Sequence, residues 1–174
     1  IQQQFQLPAG YIIETCPSAQ ALVQSLADCL QQGFLLLIDY GFDAATYYHA
    51  QRHEGTLMCH YRHYAHHDPF YYPGLQDITA HVNFTAIAQA ACDASMQLVG
   101  YLPQANFLLN CGILDTLAEQ SETDSKTHLR QTAAVQTLLS PAEMGELFKV
   151  IAFEKGIDIP DYRGFQSGDQ SFRL

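Results

Sequence analysis

The feature that most constrains this sequence is the unbroken apolar run Phe34-Leu-Leu-Leu-Ile38, closed by Asp39-Tyr40-Gly41. Five consecutive large apolar side chains suit a strand covered on both faces, because a half-exposed strand alternates apolar with polar residues. The run follows a helical stretch between Cys16 and Gly33. In that stretch Leu22, Leu26 and Leu30 fall four apart, Val23 widens the stripe, Pro17 suits a first turn and Gly33 suits the stop. A helix, a short turn, a buried strand and a carboxylate at the strand's end predict an α/β fold, in which ligands gather beyond the carboxyl ends of the strands.

Periodicity then lapses between residues 42 and 82, where Tyr, His, Asp, Pro and Gly accumulate. This stretch is expected to be an irregular insertion containing one short strand in Gly55-Thr-Leu-Met-Cys-His-Tyr61. Regularity resumes at Asn83, a suitable N-cap for a helix carrying Phe84, Ile87, Ala88, Ala91 and Cys92, and a strand is expected from Met96 to Leu102. Pro103 opens a helical stretch through Phe107, Leu108, Cys111 and Leu114, and the polar residues 121–127 read as a solvated loop. Ser140-Pro-Ala-Glu143 has the form of a capping box and predicts a helix start. Leu147 to Phe153 reads as a final strand, before a polar tail from Asp158 to Leu174.

Composition narrows the function. The 174 residues suit a single domain, and 48% hydrophobic against 15% charged residues suits a packed core rather than a disordered tail. A formal charge of −10 opposes binding to nucleic acid or anionic membranes, so neither is an expected partner. No apolar run approaches the ~20 residues of a membrane-spanning helix. Five scattered cysteines without a CxxC pair suit free thiols in a reducing compartment, and the expected location is cytoplasmic.

The chemistry-bearing residues fall in a few places. Asp39 sits where a strand should open onto a crevice and could orient an amine or guanidinium; its structural alternative is a loop cap. Seven of the eight histidines lie between His49 and His81, but their spacing fits a zinc site only loosely, and no metal is expected. Asp77-Ile-Thr-Ala-His81 delivers an acid and an imidazole just ahead of a helix, where capping is the alternative role. No Walker loop, Gly-x-Ser-x-Gly or Gly-x-Gly-x-x-Gly is present, so phosphate cradling, nucleophilic hydrolysis and dinucleotide binding lack local support.

Five stretches in order resemble the MidA family of class I methyltransferases, which includes a mitochondrial complex I assembly-factor methyltransferase. They are Leu36-Leu-Ile-Asp-Tyr-Gly41, Gly55-Thr-Leu-Met-Cys-His-Tyr-Arg-His63, Asp77-Ile-Thr-Ala-His-Val-Asn-Phe84, Gln104-Ala-Asn-Phe-Leu108 and Met144-Gly-Glu-Leu-Phe-Lys-Val150. Asn83 departs from the aspartate more usual in the family. The resemblance implies a Rossmann-like sheet in which residues 34–38 form the fifth strand, 96–102 the sixth and 147–153 an antiparallel seventh. It implies further that residues 1–174 are the C-terminal portion of one methyltransferase domain, with the half that binds S-adenosyl-L-methionine lying upstream and no cofactor-binding residue in this segment. Protein-arginine methylation of a respiratory-complex subunit or a similar protein is the implied activity, in mitochondria for a eukaryotic member. Asp39 and His81 are the expected catalytic residues, with Tyr40, Gly41, His63, Asp77 and Gln104 on the substrate side. The segment alone is expected to be inactive. Stripped of the first four strands, the run at 34–38 should keep an open edge and a bare apolar face, and self-association as a homo-oligomer is one remedy. The competing expectation is a protein-interaction module that presents the Tyr/His-rich insertion without catalysis of its own.

Overall fold

The computed structural model describes residues 1–119 and 125–174. It begins with an irregular segment leading to helix α1 (Pro17–Cys29), with proline in the first turn as expected. Strand β1 (Gly33–Phe42) follows, then the short helix α2 (Ala44–Tyr47). Strands β2 (Met58–Tyr61), β3 (Tyr64–His66) and β4 (Asp77–Thr79) form a small sheet of their own. Strand β5 (Val82–Asn83) leads directly into helix α3 (Phe84–Asp93). Strand β6 (Gln97–Pro103), helices α4 (Gln104–Asn110), α5 (Ile113–Glu119) and α6 (Ser125–Leu139), and strand β7 (Phe148–Lys155) complete the chain before its tail.

The main sheet is ordered β5-β1-β7-β6, so β7 is inserted between β1 and β6 and runs antiparallel to both. β1 meets β5 in parallel at Gly41 and Phe42. This mixed α/β sheet places the expected fifth, sixth and seventh strands as anticipated. The core lies where α1 and α3 pack on one face of the sheet, around Val23, Ala27, Phe84, Ile87, Ala91, Tyr101, Ile151 and Phe153.

Several expectations are corrected. β1 does not close at Asp39 but continues to Phe42, so the carboxylate beyond its end is Asp43, which is buried and caps α2. Gly41 permits the extension: a Cβ there would stand 2.1 Å from the Val82 carbonyl oxygen, so only glycine allows β5 to approach this closely. Within the run, Phe34, Leu36 and Ile38 are 37%, 37% and 48% exposed, while Leu35 and Leu37 pack against the core. One face is covered, not two. On α1 the buried positions are Val23 and Ala27; Leu22 and Leu26 face outward.

The insertion is more regular than expected. Arg62 and His63, both at positive φ, make the tight turn of the β2–β3 hairpin, and β2 pairs on its other edge with β4. The stretch after Pro103 is two helices, broken where Gly112 takes φ +86°. Residues 120–124 lie outside the described residues; the polar stretch resumes at Ser125 as the start of α6, which the apolar pattern did not reveal because it has no buried residues. No helix starts at Ser140. α6 has just ended, the Ser140 carbonyl accepts from Glu143 and Gly145 N–H groups, and a run of turns carries the chain into β7.

Candidate functional site

The site forms where β1 crosses β5. β1 carries Tyr40, Gly41 and Phe42 to the junction, and the residue just before β5 is His81. The imidazole stacks on Phe42 at 4.9 Å between centroids and meets Tyr40 edge-on at 5.2 Å. The Arg52 guanidinium lies 4.2 Å from the Phe42 centroid and donates to the Thr46 carbonyl at 2.6 Å.

Burial lowers the pKa of His81 below the usual imidazole value, and Arg52 pushes it in the same direction, against the opposing pull of Glu14 and Asp39. The ring is therefore neutral at pH 7. Its Nδ1 is buried with no hydrogen-bond partner among the described residues. A neutral imidazole with an unused nitrogen can take up a proton or accept a hydrogen bond.

A second set of bonds fixes the backbone of this residue. The His81 N–H donates to Thr56 Oγ1 at 2.9 Å, and the Thr56 hydroxyl and N–H both donate to Glu14 Oε2, at 2.8 and 2.7 Å. Glu14, His81, Tyr47 and Tyr48 line a cleft of 550 Å³ between the N-terminal segment, α2 and the β5–α3 turn. The Tyr47 hydroxyl is held protonated, mainly by burial and then by the Glu14 charge.

Beyond the end of β1, Asp43 accepts from Thr46 N–H and O–H and pairs with Arg173 at 3.1 Å. The tail that reads as merely polar thus folds back on the sheet. Gln170 N–H donates to the Tyr101 carbonyl, and Asp169 accepts from Tyr101 N–H.

The structure distributes the expected site residues unevenly. Tyr40, Gly41 and His81 meet at the crossing. Asp39 is exposed on β1, accepts from Tyr40 N–H at 2.8 Å and is near enough to bias the charge of His81. His63 is at the hairpin tip and Asp77 pairs with His60, both on the second sheet and both exposed. Gln104 is buried at the start of α4 and donates to the Leu138 carbonyl, tying α4 to α6. Glu14, Thr56 and Asp43 went unread because each is an isolated polar residue with no spacing pattern. The only local hint at Glu14 was a carboxylate ending the apolar stretch Tyr11-Ile-Ile. The junctions where strand gives way to helix, at 42–44, 83–84 and 103–104, contain no glycine, and Asp43 and Asn83 cap their own helices. None of them makes a glycine turn open to a nucleotide.

Comparison with known proteins agrees with the fold. The family model described as "Putative S-adenosyl-L-methionine-dependent methyltransferase" matches residues 1–102. The chain is 31% identical over 143 residues to the mitochondrial protein arginine methyltransferase NDUFAF7 of Danio rerio, covering 79% of this chain and 31% of that protein. It is 29% identical over 147 residues to the Homo sapiens protein of the same name, covering 80% and 31%. A crystal structure of a COG1565 superfamily member from Burkholderia thailandensis, bound to S-adenosyl-homocysteine, superimposes with a TM-score of 0.94 at 53% identity, covering 99% of this chain and 44% of that one. The chain spans about a third of the length of the curated relatives it matches.

Proposed function

We propose, because this chain belongs to the S-adenosyl-L-methionine-dependent methyltransferase family, that it supplies the substrate side of an enzyme that methylates arginine in a protein. The observation that carries this reading is the neutral His81, set between the charges of Asp39 and Glu14 beside a cleft, in a chain whose relatives are named protein arginine methyltransferases. Methylating a guanidinium requires the reacting nitrogen to be held in line and its positive charge offset, and one proton must leave as the new N–C bond forms. Asp39 orients the substrate from the rim, Tyr40 and Gly41 shape the crossing, and His81, which lines the cleft, accepts the departing proton. His63 and Asp77, on the second sheet, contact substrate more remote from the reacting group. Gln104 contributes through the α4–α6 packing that it holds.

The described residues do not by themselves fit S-adenosyl-L-methionine, since their strand-to-helix junctions lack an open glycine turn. We therefore place the cofactor half of the domain in the portion of the relatives that this chain does not span. The methyl group is the cofactor's contribution; the chain's own residues bind, orient and deprotonate.

The test is methyl transfer from labelled S-adenosyl-L-methionine by the full-length protein, followed by acid hydrolysis and identification of the labelled residue. Methylarginine is expected, and label on lysine alone would reject the reading. If Asp39→Asn leaves both turnover and substrate affinity unchanged, the role given to Asp39 is wrong.

The second reading, an interaction module, is favoured by one observation. The small sheet and its following loop carry an aromatic cluster in which exposed Tyr71 and Tyr72, 4.4 Å apart, pack on half-buried Tyr61, with exposed Tyr64 joined through His66. On that reading the labelled protein yields no methylated residue of any kind.

A further inference from the structure

We propose that Glu14 is the carboxylate that receives the substrate's guanidinium, inside the cleft formed by the N-terminal segment, α2 and the β5–α3 turn. The inference rests on the arginine-directed reading above and adds to it a binding pocket and a residue.

Among the described residues lining that cleft Glu14 is the only carboxylate, and its walls include the rings of Phe5, Tyr47 and Tyr48. Phe5 and Tyr48 pack at 5.0 Å between centroids. A single acid in an aromatic-walled cleft selects a flat cation, because ring faces attract cations and a carboxylate forks onto paired N–H donors. Among the described residues Glu14 makes no ion pair. The nearby guanidinium of Arg52 is engaged by Phe42 and the Thr46 carbonyl.

Thr56 N–H and O–H both donate to Glu14 Oε2, and the Tyr47 hydroxyl is a further hydrogen-bond partner of the same carboxylate. These bonds fix the carboxylate on the wall of the cleft, where no cation of the described residues neutralises it. The same threonine oxygen accepts from His81 N–H, so the acid and the imidazole lining one cleft are registered to each other through one side chain. Asp39, by contrast, does not line the cleft, and its Oδ1 is taken by Tyr40 N–H. The two acids have separate parts: Glu14 holds the cation within and Asp39 acts at the rim.

The competing role for Glu14 is to staple the turn at Gly55 and Thr56, and the choice of variants separates the two. Glu14→Gln removes the charge but keeps an acceptor for both Thr56 donors. Thr56→Val removes the hydroxyl link and leaves the charge.

The probes are N-acetyl-arginine-methylamide and its neutral counterpart N-acetyl-citrulline-methylamide, titrated calorimetrically into the full-length protein. The wild type is expected to prefer the arginine probe by at least about tenfold, the scale of a charge-assisted hydrogen-bonded pair. Glu14→Gln should abolish the preference and Thr56→Val should retain it. Should Glu14→Gln fail to fold by circular dichroism, Glu14→Asp serves instead, with a reduced preference expected. No preference in the wild type, or a full preference in the Glu14 variant, overturns the proposal. Methylarginine formation is assayed separately: if the arginine probe binds through Glu14 yet no methylarginine forms, the arginine-methylating reading fails while this site stands.

Discussion

Two apolar runs, Phe34-Leu-Leu-Leu-Ile38 and Val150-Ile-Ala-Phe153, look alike in sequence and end in different surroundings. In β7 all four residues are fully buried, because the strand has β1 and β6 on its two edges and packed residues on both faces. In β1 burial alternates, and the edge away from β7 is paired only at Gly41 and Phe42 among the described residues. The apolarity of a strand states what it demands; its position in the sheet decides how much of that demand is met. The site lies where the pairing of β1 passes from β7, which it leaves at Tyr40, to β5, which it meets at Gly41, and the residue just before β5 is His81.

The contrast can be tested by substitution, and its largest effect belongs to β7. Phe153→Ala should cost about 3–5 kcal/mol in chemical denaturation, since the ring is fully buried in the packed core and its loss leaves a cavity. Asp43→Ala, at the end of β1, should cost about 1–3 kcal/mol. It removes the cap of α2 and leaves Arg173 without its partner, a loss tempered by the partial exposure of Arg173. Leu36→Thr, on the bare face of β1, should cost under about 1 kcal/mol in this chain, against the several expected at β7. A loss there as large as that at Phe153 would mean that this face is covered in solution.

The smallest effect is one of pH. The folded pKa of His81 lies below its ordinary value of 6.5, so at pH values just below 6.5 the unfolded chain binds more protons than the folded one. This residue's contribution is complete above about pH 6.5 and declines as the pH falls below it. His81→Gln should flatten that part of the stability profile, and an unchanged slope would show that the imidazole is not held neutral.

Much of the sheet was legible in the sequence because local signals and tertiary demands coincide there. Pro17 opens α1, Asn83 caps α3, and the strands around Leu98 and Val150 fall where their apolar runs do. Elsewhere the deciding contact is remote. β1 reaches Phe42 only because Val82, forty residues on, needs the space that Gly41 leaves. The capping pattern at Ser140 is locally sound but follows a helix that has just ended, and a Cβ on Gly145 would stand 2.3 Å from the Leu139 carbonyl. The site divides in the same way. His81 and Tyr40 belong to stretches dense in chemistry-bearing residues, whereas Glu14 and Thr56 acquire meaning only through the bonds that link segments forty-two residues apart.

The central claim, that β1 and β5 join to set a proton-accepting imidazole beside the substrate, is tested most directly by methyl transfer to arginine in the full-length protein carrying His81→Gln. Loss of the base should lower kcat by about 100-fold or more, with S-adenosyl-L-methionine affinity retained and the wild-type rate falling only as the pH drops through the depressed pKa of His81, below the ordinary imidazole value. An unchanged kcat with an unchanged pH profile would contradict it.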